Sequence, residues 1–303
     1  MSIAPPFLKK GDKVAVVAPA KKIVREEILP GLEILKSWGL QVITGKYLYN
    51  EYNQFAGTDG ERLEDLQQLI DDPNIKGVFA ARGGYGTNRI IDKLDFSGFK
   101  NNPKWIIGFS DLTILLNHVH QWGIESIHGP MPLLFGDKTT KESLEYLRKI
   151  LFGENIEYLI PGNRLNIRGI GSGELIGGNL SILCTMIGTP SDVNSEGKIL
   201  FLEEIDEHIY HLDRMMVMLK RAGKLKGLSG MLIGHMSDMK ESGFGKTYQE
   251  VILEHTQAYN FPICFGFPAG HEPKNYPILI GKKAVLEVQE ETVRLSFPSS
   301  YSL

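Results

Sequence analysis

Apolar positions in the first 110 residues come in two alternating textures, short unbroken runs and longer stretches in which they recur every three or four residues. Lys13-Val14-Ala15-Val16-Val17-Ala18, closed by Pro19, has the continuous hydrophobicity of a strand buried on both faces. Gln41-Val42-Ile43-Thr44, Lys76-Gly77-Val78-Phe79-Ala80-Ala81 and the run opened by Trp105-Ile106-Ile107 read as further strands. Between them, Ile28, Leu32, Ile34 and Leu35 fall on a helical period over residues 25–38; Gly39 ends it and Pro30 blurs its start. Thr58-Asp59-Gly60-Glu61 has the spacing of a capping box ahead of Leu63, Leu66 and Ile70, which predicts a helix opening near residue 59. Asn88 to Leu94 reads as a further helix, and another follows Ser110. Strand and helix in alternation predict an N-terminal doubly wound, Rossmann-like α/β domain.

Past residue 138 the texture changes. A helical pattern at Glu142-Ser143-Leu144-Glu145-Tyr146-Leu147 leads to a Pro161-Gly162-Asn163 turn, then to shorter strand-like runs: Glu174–Ile176, Lys198–Leu202, Gly230–Ile233, Ile263–Phe267, Ala284–Gln289 and Thr292–Phe297. With two or three helices among them, these predict a second, mixed β-rich α/β domain. The expected organisation is therefore a domain over 1–140, a connector over 141–168 and a domain over 169–303. No internal repeat or low-complexity tract is present, which excludes solenoids and disordered scaffolds.

Composition narrows the function classes. A chain of 303 residues with 42% hydrophobic and 23% charged residues can bury a substantial core. A net charge of -3, with lysines scattered as in Lys9-Lys10 and Lys21-Lys22, offers no basic field for nucleic acid. A small neutral or zwitterionic substrate fits better. Cys184 and Cys264 lie in apolar surroundings, which favours reduced core thiols and a cytoplasmic compartment. Met1 to Pro6 carries no export signal, and no run approaches the roughly 18 apolar residues of a membrane helix, so no membrane association is expected.

The candidate chemistry starts at Gly108-Phe109-Ser110-Asp111-Leu112-Thr113, where a buried strand turns into a helix. A serine there stands proud of the sheet, and the backbone N–H groups that follow face the place where an oxyanion would form. Ser followed by Asp and Thr is also an ordinary way to cap a helix. Leu112 stands where the hydrolase elbow G-x-S-x-G has its second glycine. The loop Arg82-Gly83-Gly84-Tyr85-Gly86 leaves a neighbouring strand, and in open α/β sheets ligands gather at such carboxyl ends.

A serine nucleophile needs a base and an acid. His118 and His120 lie in the helix after Ser110, His128 precedes Gly129-Pro130, and His208 and His211 sit three apart on a probable helix, a solvated face unless further metal ligands join them. His271 differs: Phe265-Gly266-Phe267-Pro268-Ala269-Gly270-His271 puts it in a glycine- and proline-rich loop just after an apolar strand. The orienting acid is Glu203 or Glu204, which close the strand Ile199-Leu200-Phe201-Leu202; adjacent strand residues point to opposite faces, so only one can serve.

Arg82-Gly83-Gly84-Tyr85-Gly86, Gly108 to Thr113, Gly177-Gly178-Asn179-Leu180, Leu202-Glu203-Glu204 and Gly270-His271, in this order, resemble the LD-carboxypeptidase family of serine peptidases. Leu8 to Pro19 and Asp213-Arg214-Met215 are similar to that family too, so the resemblance runs from about residue 8 to the end. It implies a Ser110–His271–Glu203 triad, with Glu203 preferred to Glu204 as the acid. It also implies an oxyanion hole from the backbone of Asp111, Gly83 and Gly84, substrate contacts at Tyr85 and Asn179, no cofactor, and no metal. The implied substrate is the cytoplasmic murein tetrapeptide, cut between an L-configured centre and its terminal D-alanine, and the implied assembly is a homodimer. A branch resembling microcin-immunity proteins cleaves peptidyl or aminoacyl nucleotides, with a mobile-loop aromatic stacked on the base. Met236 to Gly245, whose aromatic is Phe244, corresponds to that loop. Outside the family stand a nucleotide-binding α/β enzyme, disfavoured because Ala18-Pro19-Ala20-Lys21-Lys22 lacks glycines and no phosphate-binding loop sequence occurs, and a non-catalytic small-ligand binding module.

Overall fold

The computed structural model describes residues 2–136, 138–241 and 243–298. It divides into two compact units, the chain up to Glu154 together with Pro273–Gly281, and Asn155–Glu272 together with the chain from Lys282 onward. Helix α4 of the expected connector thus belongs to the first unit, and a nine-residue segment from late in the chain returns to it.

In the first unit, β1 (Lys13–Val17), β2 (Gln41–Thr44), β3 (Ile75–Ala80), β4 (Trp105–Gly108) and β5 (Ser126–His128) form a parallel sheet in the order β5-β4-β3-β1-β2. The strand Ile278–Ile280 closes its edge, antiparallel to β5 with Ile278 opposite His128. β1 lies inside the sheet between β3 and the edge strand β2, and Val14, Ala15 and Val16 are wholly buried, as an unbroken apolar run requires. The order reverses between β1 and β3, so the loops leaving those two strands flank the switch point at which such sheets bind ligands.

α1 (Arg25–Ser37) runs through Pro30, close enough to its start that few hydrogen bonds are lost. α2 (Asp59–Asp71) opens with the expected capping box between Thr58 and Glu61. α3 (Thr113–Gln121) and α4 (Lys141–Leu151) complete the helices. One expectation is corrected: residues 88–94 form two 3₁₀ turns, Thr87–Arg89 and Ile91–Lys93, because buried Ile90 and Ile91 tuck the chain inward and no amphipathic length remains before the Ser97-Gly98 break. The helix expected after Ser110 is α3, which begins after a 3₁₀ turn at Ser110–Leu112. The short strands β5 and Ile278–Ile280 escape prediction, each being only three residues long.

The second unit is a seven-stranded mixed sheet. β6 (Glu157–Pro161), β7 (Gly169–Asn179), β8 (Ile199–Ile205), β9 (Gly230–Ser237) and β10 (Ile263–Phe265) precede β11, the Ile278–Ile280 strand already described; β12 (Lys283–Val288) and β13 (Thr292–Ser296) follow it. The order is β10-β9-β8-β7-β12-β13-β6, parallel from β10 to β7 and antiparallel beyond. α5 (Leu180–Met186), α6 (Ile209–Arg221) and α7 (Tyr248–Thr256) are its helices. β8 lies inside the parallel part and is buried from Ile199 to Glu204, so its two carboxylates sit at the end of a core strand.

Candidate active site

Ser110 is presented by backbone geometry. Phe109, buried, continues β4 in an extended conformation, and Ser110 then turns to φ 62°, in the left-handed region that side chains other than glycine seldom occupy. Such a residue costs about 1–3 kcal/mol and persists only where its surroundings over-determine it. No side chain caps the 3₁₀ turn or α3, so the reading of Ser110 as a helix cap is corrected. The strain answers to a different demand, the display of the hydroxyl at a sharp strand-to-helix turn.

The glycine loop lies against this serine within the first unit. A Cβ on Gly83 would stand 3.1 Å from Ser110 Cβ and 3.3 Å from Ser110 Oγ, so only a residue without a side chain leaves that flank of the hydroxyl open. Gly84 has φ 118° and carries the aliphatic stem of Lys21 beside it. Tyr85 is exposed, its ring 6.0 Å from that of Phe55.

Behind the loop lies a polar network that the sequence did not single out. Asp111 is buried, and its Oδ2 accepts the backbone N–H of Thr87 at 2.8 Å. Arg62 of α2, also buried, donates from Nη1 to the carbonyls of Pro19 (2.6 Å) and Gly86 (2.9 Å) and from Nη2 to Asp59. Burial pushes the Asp111 carboxyl up, while the hydrogen bonds from Thr87 and Gly86 and the Arg62 charge oppose the shift. In the sequence, Asp59 and Arg62 look like an ordinary surface pair three apart on a helix.

The second unit holds an acid–imidazole pair in which the acid is buried and the imidazole half-buried. Glu203 is fully buried, and its Oε2 lies 2.7 Å from His271 Nδ1. The His271 loop is laced to β9: Phe267 N–H donates to Ile233 O (2.9 Å), His235 N–H to Ala269 O (2.8 Å), and Ser237 Oγ to Glu272 Oε1 (2.7 Å). Burial pulls the His271 pKa down, but the charge and hydrogen bond of Glu203, with Glu204 and Glu272 behind it, outweigh burial and hold it above 6.5. With Nδ1–H donating to the carboxylate, the neutral ring carries its lone pair on Nε2, the arrangement of a general base.

Glu204 faces the other way, as strand alternation requires. It accepts hydrogen bonds from Asn179 Nδ2 (2.8 Å), Ser181 N–H (2.7 Å) and Ile205 N–H (2.9 Å). Asn179 Oδ1 in turn accepts from Ile182 N–H and caps α5, so both ends of an amide expected to contact substrate hold the fold together. Of the other histidines, His118, His120 and His128 are buried in the first unit, His208 stands at the N-cap position of α6, and His211 Nδ1 contacts Glu207 at 2.5 Å. Among the described residues no group of three or more ligating side chains could hold a metal. Cys184 and Cys264 are free and buried, with burial pushing each thiol up to about 12. In the Met236 to Gly245 loop, Phe244 is half-buried and Ser242 lies outside the described residues. No described helix is long and apolar enough to cross a membrane.

The structure thus holds a strained serine at a strand-to-helix turn with a glycine loop against its hydroxyl, and a hydrogen-bonded Glu–His pair, kinds of group that serine hydrolases use. The chain belongs to the LD-carboxypeptidase family: residues 14–129 match the LD-carboxypeptidase N-terminal domain and residues 172–286 the LD-carboxypeptidase C-terminal domain. It is a serine carboxypeptidase, and so a hydrolase. A probable murein peptide carboxypeptidase of Bacillus subtilis is 36% identical over 300 residues, covering 96% of this chain and 94% of that relative. The crystal structure of muramoyltetrapeptide carboxypeptidase from Oxalobacter formigenes matches with a TM-score of 0.87 at 28% identity, over 95% of this chain and 99% of that one. The microcin C7 self immunity protein MccF, in complex with aspartyl sulfamoyl adenosine, matches with a TM-score of 0.88 over 100% of both chains at 22% identity, a likeness of fold.

Proposed function

We propose that this protein removes the terminal D-alanine from an L-configured residue of murein tetrapeptide, with Ser110 as nucleophile, His271 as general base and Glu203 as the acid that orients it. The observation that carries the reading is the hydrogen bond at 2.7 Å between half-buried His271 and buried Glu203, which prepares an imidazole to take a proton. The names of the Bacillus and Oxalobacter relatives support the peptide substrate. Ser110 Oγ attacks the carbonyl of the penultimate residue while His271 Nε2 takes the hydroxyl proton. The C–N bond then breaks, the imidazolium gives its proton to the amine of the departing D-alanine, and water hydrolyses the acyl-enzyme in a second round. Backbone N–H groups of Asp111 and of Gly83-Gly84 hold the oxyanion, and Tyr85 stands at the rim for the peptide. The buried, unoxidised thiols of Cys184 and Cys264 fit work in the cytoplasm.

The test is direct. Wild-type protein is incubated with L-alanyl-γ-D-glutamyl-(diamino acid)-D-alanine, carrying lysine or diaminopimelate, and D-alanine release is followed by mass spectrometry beside Ser110→Ala. Release by the wild type alone supports the proposal. Cleavage of an aminoacyl-adenylate with neither tetrapeptide touched overturns the substrate, and binding of either without turnover overturns the chemistry.

A further inference from the structure

We infer that the Asp111 side chain, and not only its backbone N–H, serves the reaction, as a positioning residue that pins the Gly83–Thr87 loop to the nucleophile turn and so fixes the oxyanion site. The inference deepens the reading of Ser110 as nucleophile and rests on it. Asp111 directly follows Ser110, and its buried carboxylate accepts the N–H of Thr87 at 2.8 Å, tying the turn after β4 to the far end of the loop after β3. The same end is gripped from its other side, since Arg62 Nη1 donates to Gly86 O at 2.9 Å and to Pro19 O in the loop after β1. Gly86 permits this grip. It has φ 148°, and a Cβ there would come within 2.7 Å of Arg62 Nη1.

Three loops at the β1/β3 switch point are thus joined by one buried anion and one buried cation. The proposed oxyanion donors sit at both ends of the joint: the Asp111 N–H shares a residue with the carboxylate, and Gly83-Gly84 lie three to four positions before Thr87. Oxyanion donors act by being fixed in advance where charge develops, and loss of one lowers kcat roughly 10²- to 10³-fold. Loosening two of them through the loop, without removing either, is expected to lower kcat about 10- to 100-fold while KM stays within about threefold.

The experiment measures kcat and KM for D-alanine release by the full-length protein carrying Asp111→Ala, Asp111→Asn or Thr87→Pro, with Ser110→Ala alongside and a thermal melt for each. Asp111→Ala removes the acceptor, Thr87→Pro removes the donor at the first position of a 3₁₀ turn, and Asp111→Asn keeps an oxygen for the Thr87 N–H. A kcat loss of 10-fold or more at unchanged KM in whichever of Asp111→Ala and Thr87→Pro melts cooperatively, with Asp111→Asn recovering most of it, supports the inference. Folded Asp111→Ala or Thr87→Pro with wild-type kcat, a loss confined to KM, or a folded Asp111→Asn as slow as Asp111→Ala overturns it. An active Ser110→Ala instead overturns the nucleophile assignment, so the two failures are separable.

Discussion

The two units hold the groups proposed to react by different physics. In the first, Ser110 is displayed by main-chain conformation, a left-handed φ of 62° between an extended Phe109 and a 3₁₀ turn, with glycines clearing its flank. In the second, His271 is prepared by a side chain, the Glu203 carboxylate 2.7 Å away in a core strand. Conformational strain can aim a hydroxyl but does little for its acidity, whereas a buried charge can both orient an imidazole and raise its basicity. The adjacent Glu204 makes the contrast sharper. It is surrounded by three N–H donors and spends its charge on the fold, while Glu203 has an Oε1 with no hydrogen-bond partner and directs its other oxygen to the histidine.

Changes to the two units should therefore differ in kind and in size. Ser110→Ala removes the nucleophile and is expected to lower kcat roughly 10⁵-fold with the melting temperature near that of the wild type, read by D-alanine release. Glu203→Gln keeps the shape but not the charge, and should cost about 10³- to 10⁴-fold in kcat. The same variant should move the acid limb of the pH profile of kcat/KM. Because the folded His271 pKa is raised above 6.5, activity climbs as pH rises through that raised value, and without the Glu203 charge the limb shifts to lower pH. The corresponding stability runs the other way: the protonated imidazole's contribution is complete below about 6.5 and is lost as pH rises through the folded-state pKa.

Glu204→Ala takes the acceptor from one buried and two part-buried donors, and should destabilise the protein by about 2–3 kcal/mol in urea unfolding with kcat of the folded fraction within a fewfold of wild type. A large kcat loss there would show that the assignment of the acid to Glu203 is wrong. The smallest effect belongs to the strained serine. Ser110→Gly should be more stable than Ser110→Ala by about 1 kcal/mol, since glycine accepts φ 62° without a Cβ clash. Equal stability would mean the turn carries no strain, and the first unit would then owe its display of Ser110 to something other than backbone conformation.

The alternation of strands and amphipathic helices up to β3 was legible because each helix there is long enough to show its own period and carries its own stop or cap, as at Gly39 and Thr58. The choice between Glu203 and Glu204 was half legible: alternation said that they face apart, but only the His271 contact says which of them meets an imidazole. The hydrogen bonds of Asn179 were not legible, because nothing local reveals that Glu204, 25 residues on, takes its amide. Arg62 and Thr87 were invisible for a similar reason, one resembling a solvated helix charge and the other lying just ahead of a stretch whose helical reading the structure corrects.

Local periodicity and capping chemistry were enough to read two α/β domains, and ordered short stretches such as Gly108 to Thr113 and Gly270-His271 carried the resemblance to a serine peptidase family, because those signals depend on neighbours within a turn or two. Tertiary structure alone decided that Ser110 is strained rather than a cap, that a nine-residue return segment completes the first sheet, and that buried Arg62 and Asp111 bind three loops together. Those outcomes rest on hydrogen bonds between groups 24 to 43 residues apart, or on strand pairing across 150 positions, and the desolvation that gives such contacts their value exists only once the chain has folded.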